Sequence, residues 1–369
     1  MLSNLELSIE LIKLQPVSHD TEKLLLICDF VSAYIQKHCN KLPKIQKIIH
    51  NNYPTLIVSS HNLLEPTVCL YAHLDVVAGK PKQFEPKVVD NWLIGRGSGD
   101  MLGASAASIN TFIKTFNTKP NLNIGLFLPC DEELGGTNGS KYCVEELKYN
   151  PETVLMPDSG SSLENIVVGQ KGFIIATLKC KGKPCHSSRP WEGKNPINKL
   201  LDILNKIQNQ FQTTGTTEYF STITPTQIQA GESMNKVPSQ ASLTIDMRTC
   251  NRKDHNKLLE LINNIQEPDI SIELLEAPAF NMSSGHPHID LAREITEGIL
   301  NKQVNIIKEH GGSDARFFQK KVIPCIINGI RKENSHGDNE KVYIPEIDLY
   351  EQFASEYIIQ YHQKFIGLK

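Results

Sequence analysis

Leu122-Asn-Ile-Gly-Leu-Phe-Leu-Pro129-Cys-Asp131-Glu132-Glu133-Leu-Gly-Gly136 joins an apolar run to two adjacent glutamates and a glycine pair. The run predicts a strand over 122–128 that is buried on both faces, as in a parallel sheet. Neighbouring side chains on an extended segment point to opposite sides, so Glu132 and Glu133 are expected to be presented differently. One would grip a metal and the other would move protons.

Working outward, Thr67-Val-Cys-Leu-Tyr-Ala-His73-Leu-Asp75-Val-Val77 reads as a second buried strand, ending in His-x-Asp. A short strand over 153–156 delivers Pro157-Asp158. Helices are expected over 20–38, capped by Asp20, over 104–116 and over 139–147. Residues 88–94 predict a hairpin turning at Asp90-Asn91, which leads into Gly95-Arg-Gly-Ser-Gly-Asp100-Met-Leu-Gly103. That loop lacks the Lys-Ser/Thr ending of a phosphate cradle, and Asp100 is its distinctive residue. Strands alternating with helices predict an open α/β sheet, whose ligands gather at the carboxyl ends of the strands. His73, Asp75, Asp100, Glu132, Glu133 and Asp158 all fall at or beside such ends.

From residue 172 the pattern changes. A strand over 173–180, a helix over 195–211, strands over 222–230 and 241–248, a helix over 253–265 and a strand over 270–275 follow the β-α-β-β-α-β order of a ferredoxin-like unit. The α/β pattern then resumes with helices over 289–300, 315–319 and 345–365 and strands near 306 and over 322–327. A domain formed by 1–171 and 279–369 is thus interrupted by a smaller α+β domain, 172–278.

Composition narrows the function. The 369 residues carry a formal net charge of -3 and no basic cluster, which argues against nucleic-acid binding. Residues 1–16 read as an amphipathic helix capped by Ser3, not as a signal peptide, and no apolar run reaches the roughly 20 residues of a membrane helix. Nine scattered cysteines without a Cys-x-x-Cys pair suit reduced thiols in a cytoplasmic protein.

His73, Asp100, Glu133, Asp158 and His336 supply two imidazoles and three carboxylates, enough for two Zn²⁺ ions of about four ligands each if Asp100 and a water bridge them. His73, Asp100 and Asp158 are assigned to one ion, and Asp100, Glu133 and His336 to the other. Asp75, two residues from His73, would orient the imidazole by a hydrogen bond. Water held between two such cations has its pKa lowered toward about 7, and Glu132 can take its proton as general base and return it to a leaving amine. Such a site hydrolyses amides. Co²⁺ or Mn²⁺ accept similar donors.

These residues resemble the dizinc amidohydrolase family that includes succinyl-diaminopimelate desuccinylase, acetylornithine deacetylase, aminoacylase, glutamate carboxypeptidase and several dipeptidases. The motifs are His73-Leu-Asp75, the Gly95 to Met101 loop, Asp131-Glu-Glu133-Leu-Gly-Gly136, Pro157-Asp158, His186-Ser-Ser188, Gly193-Lys-Asn195-Pro-Ile197, Gly-Glu-Ser-Met-Asn235-Lys-Val-Pro238, Asp246-Met-Arg248, Gly312-Ser313-Asp-Ala-Arg316 and His336. The resemblance implies a mixed-sheet zinc-hydrolase catalytic domain interrupted by a lid or dimerisation domain. It implies that His186 reaches a neighbouring active site in a homodimer to polarise the scissile carbonyl, and that Arg248, Asn235, Gly312 and Ser313 contact the substrate. A cis peptide is expected after Asp100. Leu102 replaces a lysine common in the family, Pro157-Asp158-Ser is closer to dipeptidase members, and Gly312-Ser-Asp-Ala-Arg-Phe317 leans toward desuccinylases. The expected reaction is removal of an acyl group from a small N-acyl amino acid, with a dipeptidase or carboxypeptidase as the alternative and a silent binding protein as the reading from another class.

Overall fold

Ser3 closes a capping box with Glu6 and starts the helix Asn4–Lys13, and Asp20 accepts a hydrogen bond from the Lys23 amide to start Thr21–His38. The apolar faces of both helices, among them Leu7, Leu11, Leu24, Ile27 and Val31, are fully buried. This computed structural model describes residues 1–210 and 219–367, which divide into two compact units. One comprises Met1–Val168, Met282–Ile307 and Ser313–Lys369, and the other Gly169–Asn281 with Lys308–Gly312.

The sheet of the first unit is mixed. Its strands run in the order Lys44–His50, Tyr53–Ser59, Ile124–Pro129, Val68–Tyr71, Thr153–Met156, Cys325–Ile327, Asn165–Gln170. The four from Ile124–Pro129 to Cys325–Ile327 are mutually parallel, while the strands flanking them pair antiparallel. The central strands are buried at every position, which is why their sequence reads as unbroken apolar runs instead of alternating ones. Because those four strands are parallel, their carboxyl ends share one edge, and everything that follows them in sequence emerges there. The helix Gly103–Thr118 packs against Ile344–Tyr361 and begins at a tight turn containing Asp100.

Several expectations are corrected. The strand predicted over 67–77 ends at Tyr71, although Ala72 and Leu74 still donate to Phe127 O at 3.1 Å and Pro129 O at 2.9 Å of the neighbouring strand before Val76 N–H turns to Pro16 O at 2.9 Å. The helix predicted over 139–147 shortens to Tyr142–Glu145 after a wider turn at Thr137–Lys141. Glu132 and Glu133 are not on extended backbone but in a tight helical turn, Glu132–Leu134. The strand Asn165–Gln170 was not anticipated, since only Ile166-Val-Val168 marks it in sequence.

The second unit is a four-stranded antiparallel sheet, ordered Thr222–Ala230, Gln240–Thr249, Gly172–Lys181, Ile270–Ala277. The first and third strands of the β-α-β-β-α-β sequence lie at its centre. Gly172–Lys181 alternates buried and more exposed positions, so one sheet face meets the helices Pro196–Gln208 and Arg252–Asn263. Ile174, Leu178, Leu200, Ile203, Leu243, Ile245, Leu258 and Ile262 form the core. The helix predicted over 195–211 ends at Gln208, and Phe211 lies outside the described residues. Truncating a central core side chain removes its transfer energy and leaves a cavity. Ile245→Ala is expected to lower the stability of this unit by about 2–5 kcal/mol, read by chemical denaturation followed by circular dichroism; an unchanged transition would contradict this packing.

Candidate metal centre

Four parallel strands deliver the site. His73 follows Val68–Tyr71, Glu132 and Glu133 follow Ile124–Pro129, Asp158 follows Thr153–Met156, and His336 lies in the segment after Cys325–Ile327. Asp100 comes from the turn Ser98–Leu102, where the peptide between Asp100 and Met101 is cis. His73, Asp100 and Glu133 each offer a donor atom within 4.8 Å of the others, and so do His73, Glu132 and Asp158. The two groups interlock through His73.

The distances distinguish the two oxygens of Asp100. His73 Nε2 lies 3.5 Å from Asp100 Oδ1 and 3.8 Å from Asp158 Oδ1. His336 Nε2 lies 3.5 Å from Asp100 Oδ2 and 3.1 Å from Glu133 Oε2. Asp100 therefore faces His73 with one oxygen and His336 with the other. His73 is fully buried, yet neither its Nε2 nor Asp158 Oδ2 has a hydrogen-bond partner among the described residues. Buried polar atoms are ordinarily paired, so two orphans aimed into one carboxylate-lined space suit a cation. The imidazole and carboxylate donor set suits a divalent ion of the zinc, cobalt or manganese type.

The electrostatics agree. Burial, then Asp158 and Asp314, push the Glu132 carboxyl well above the usual carboxylate range, and burial and Asp100 raise Asp158 to about 7. Hydrogen bonds to Asp100 and Glu133 lift His336 to about 10. Burial opposes protonation of His73, but Asp100, Asp75 and Asp158 outweigh it and raise the imidazole well above its ordinary value. The acids are raised first by burial and then by one another, whereas the imidazoles are raised by the carboxylates in spite of burial.

Side chains outside this ring hold it in place. Asp75 accepts from the Glu132 and Glu133 amides, each at 3.2 Å, and from Ser18 Oγ at 2.9 Å. Its carboxylate is 3.5 Å from His73 Nδ1, whose hydrogen bond goes instead to the Asp75 backbone oxygen at 2.9 Å. Asp75 thus meets the imidazole with its main-chain oxygen and, at longer range, its carboxylate, while the carboxylate also clamps the Glu132–Glu133 turn. Gly136, at φ +64°, closes that turn, and a Cβ there would stand 2.1 Å from Asp314 Oδ1, so only glycine fits.

Glu340, Arg96 and Lys332 have site-shaping positions that sequence reasoning missed. Glu340 Oε1 accepts from the Gly99 and Asp100 amides at 3.1 and 2.9 Å, and its other oxygen pairs with the buried Arg96. Arg96 Nη2 also donates to the His336 carbonyl at 3.0 Å, where His336 adopts φ +65°. Lys332 Nζ is 3.4 Å from Asp100 Oδ1. Glu340 lies four residues past His336 and Lys332 four before it, and only their nearness to His336 marked them in sequence.

The remaining predicted residues belong elsewhere. Ser313 is buried in the first unit, its hydroxyl donating to Met156 Sδ at 3.4 Å. Gly312 ends the second unit, which also holds His186, Asn235 and Arg248. There Cys185–His186 pairs with Lys236–Val237, and the Ser187 amide donates to Asn235 O at 2.9 Å, bringing His186 and Asn235 together. His186 Nδ1 accepts from the Ser188 amide at 3.2 Å, which leaves Nε2 to carry the proton of the neutral ring. The Arg248 guanidinium makes two hydrogen bonds to Asp246, at 2.8 and 2.9 Å.

Fold and centre together define a metal-dependent hydrolase of amides or peptides. The chain belongs to peptidase family M20/M25/M40, whose model matches residues 69–360. It is 28% identical over 321 residues to the succinyl-diaminopimelate desuccinylase of Pelagibacter ubique, covering 80% of this chain and 83% of that one. An M20 family metallo-carboxypeptidase from Sulfolobus solfataricus has the same fold, with a TM-score of 0.78, 18% identity, and coverage of 97% of this chain and 99% of the other. A dinuclear metal-binding M20 peptidase of Bacillus subtilis aligns with a TM-score of 0.67 and 16% identity over 97% of each chain.

Removing one partner of a buried ion pair strands the other charge. Glu340→Ala, which also frees the Gly99 and Asp100 amides, should cost about 3–5 kcal/mol of stability, and adding Arg96→Met should restore part of it. A double-mutant cycle by denaturant titration that finds the two effects additive would refute the coupling.

Proposed function

We propose that the protein is a cytoplasmic dizinc hydrolase that removes the acyl group from a small N-acyl amino acid. The observation that carries this reading is the split of Asp100, one oxygen toward His73 and the other toward His336, with Asp158 on the His73 side and Glu133 on the His336 side. His73, Asp100 and Asp158 would hold one ion and Asp100, Glu133 and His336 the other. When bound, two such ions polarise a carbonyl and acidify water.

The chain's own residues do the rest. Glu132 takes a proton from the attacking water and returns it to the departing amine nitrogen, and the raised affinity of its carboxyl for protons suits that exchange. Asp75 fixes the backbone of Glu132 and Glu133, so base and ligand keep their separate directions. His186 would donate its Nε2 proton to the substrate carbonyl, and Asn235 and Arg248, with Gly312 and Ser313, would contact the substrate. The Arg248 fork suits a carboxylate, though it would have to be shared with Asp246.

Similarity to a desuccinylase favours an N-acyl amino acid such as N-succinyl-diaminopimelate. The strand Thr222–Ala230 at the edge of the second unit's sheet is exposed along most of its length, which supports a homodimer built through that unit. Nine free thiols suit a reducing compartment. Among the described residues no helix is long and apolar enough to cross a membrane.

Turnover of N-succinyl-diaminopimelate, N-acetylornithine, N-acetyl amino acids and simple dipeptides should favour the acylated amino acids; hydrolysis of dipeptides alone would replace this reading with a dipeptidase. Glu132→Gln is expected to keep two ions per chain by elemental analysis while losing about 10²–10⁴-fold in kcat, and retained turnover would remove Glu132 from the base role. Chelation should abolish activity and Zn²⁺ restore it. Sedimentation should give twice the chain mass; a monomer would exclude a role for His186 in trans.

A further inference from the structure

Lys332 reaches the carboxylate that the two ions would share. Its strand, Lys332–Glu333, pairs with Lys341–Tyr343, which fixes the backbone, and its stem lies over the Asp100 turn so closely that a Cβ on Gly99 would stand 3.0 Å from Lys332 Cβ. The side chain is only 15% exposed, and its ammonium reaches Asp100 Oδ1 at 3.4 Å. That is the oxygen facing His73 at 3.5 Å, not the one facing His336. Asp158 and Glu340 also act electrostatically on Lys332. Arg96 is spent on Glu340 and the His336 carbonyl, and Arg316 lies 3.6 Å from Asp314, whereas Lys332 reaches Asp100 itself.

Resting on the dinuclear reading above, we propose that Lys332 is a built-in competitor of one metal ion: its ammonium takes the Oδ1 side of Asp100, so the His73–Asp158 site fills second and more weakly than the His336–Glu133 site. Two physical effects act in the same direction. The ammonium uses an acceptor position on the oxygen that the second ion needs, and a fixed positive charge a few ångströms away repels a divalent cation in a site where water screens poorly. Asp100 Oδ2, Glu133 and His336 are free of that competition. The protein would therefore pass through a one-ion form over a broad range of metal concentration, set by a lysine that ligates nothing.

Isothermal titration of the chelator-stripped full chain with Zn²⁺, and separately with Mn²⁺, tests this with elemental analysis as a second readout. Wild type should show two classes of site separated by about tenfold or more. Lys332→Met should tighten the weaker class by about tenfold or more while leaving the tighter one within about threefold, and Lys332→Arg, which keeps the charge, should resemble wild type. Thermal unfolding of each stripped variant verifies that it is folded. Two ions bound by wild type and Lys332→Met with the same constants would overturn the inference while leaving the dinuclear site intact. A single class of two equal sites in wild type would also overturn it, whatever the variants do. No ion bound by any of the proteins would overturn the dinuclear reading itself, and the inference with it.

Discussion

The molecule depends on crowding like charges where water is scarce. Glu132, Asp158 and Asp314 face one another, with Asp131 and Asp75 behind them, and burial pushes the Asp131 carboxyl up to about 7 as it does Asp158. Carboxylates this close raise one another's proton affinity, and only positive charge relieves the repulsion. Within the chain that charge comes from Lys332, Arg316 and the imidazoles, of which Lys332 contributes most to holding Asp100 ionised against burial. Divalent ions supply far more charge in less space. The parallel sheet makes the crowding possible, since four neighbouring strands release their following residues at one edge.

Two kinds of buried acid share this region, and their hydrogen bonds tell them apart. Asp75, Asp131 and Glu340 spend their oxygens on backbone amides: Glu132 and Glu133, Asn138 and Gly139, Gly99 and Asp100 respectively. Each thereby nails down an irregular turn that no sheet or helix ladder supports. Asp100, Glu133 and Asp158 instead aim oxygens at the imidazoles or leave them unpaired. The first kind makes loops as rigid as the strands that feed them, and a site held on loops needs that precision.

Most of this was legible because it rests on local rules. Apolar runs without alternation announced buried parallel strands, Ser3 and Asp20 announced their helices, and His-x-Asp, Asp100 and Glu-Glu stood beside strand ends. What escaped depends on contacts far apart in sequence. Asp75 looked like a partner for the neighbouring imidazole, but its carboxylate serves amides 57 and 58 residues away. Glu340 reaches back 240 residues to the Asp100 turn, a distance over which no spacing rule operates. The turn holding Glu132 and Glu133 was misread as extended because its conformation is set by Asp75 and the glycine pair, not by its own residues. Glu132 and Glu133 nonetheless fall into different donor groups, the first with His73 and Asp158 and the second with His73 and Asp100, for a reason other than alternation along a strand.

The same division bears on whether this framework could belong to a silent binding protein. A buried acceptor or donor without a partner costs about 1–3 kcal/mol, and His73 Nε2 and Asp158 Oδ2 are two such atoms at the centre. A scaffold without a cation to bind would gain stability by replacing either with an apolar residue of similar size, because neither atom has a hydrogen-bond partner among the described residues. The amide-holding acids are different: their loss would undo the turns whether or not chemistry occurred. Stability alone therefore accounts for Asp75, Asp131 and Glu340 but not for His73 and Asp158 in their present form. Unpaired atoms at these two positions suit a bound cation better than a framework that has only to stay folded.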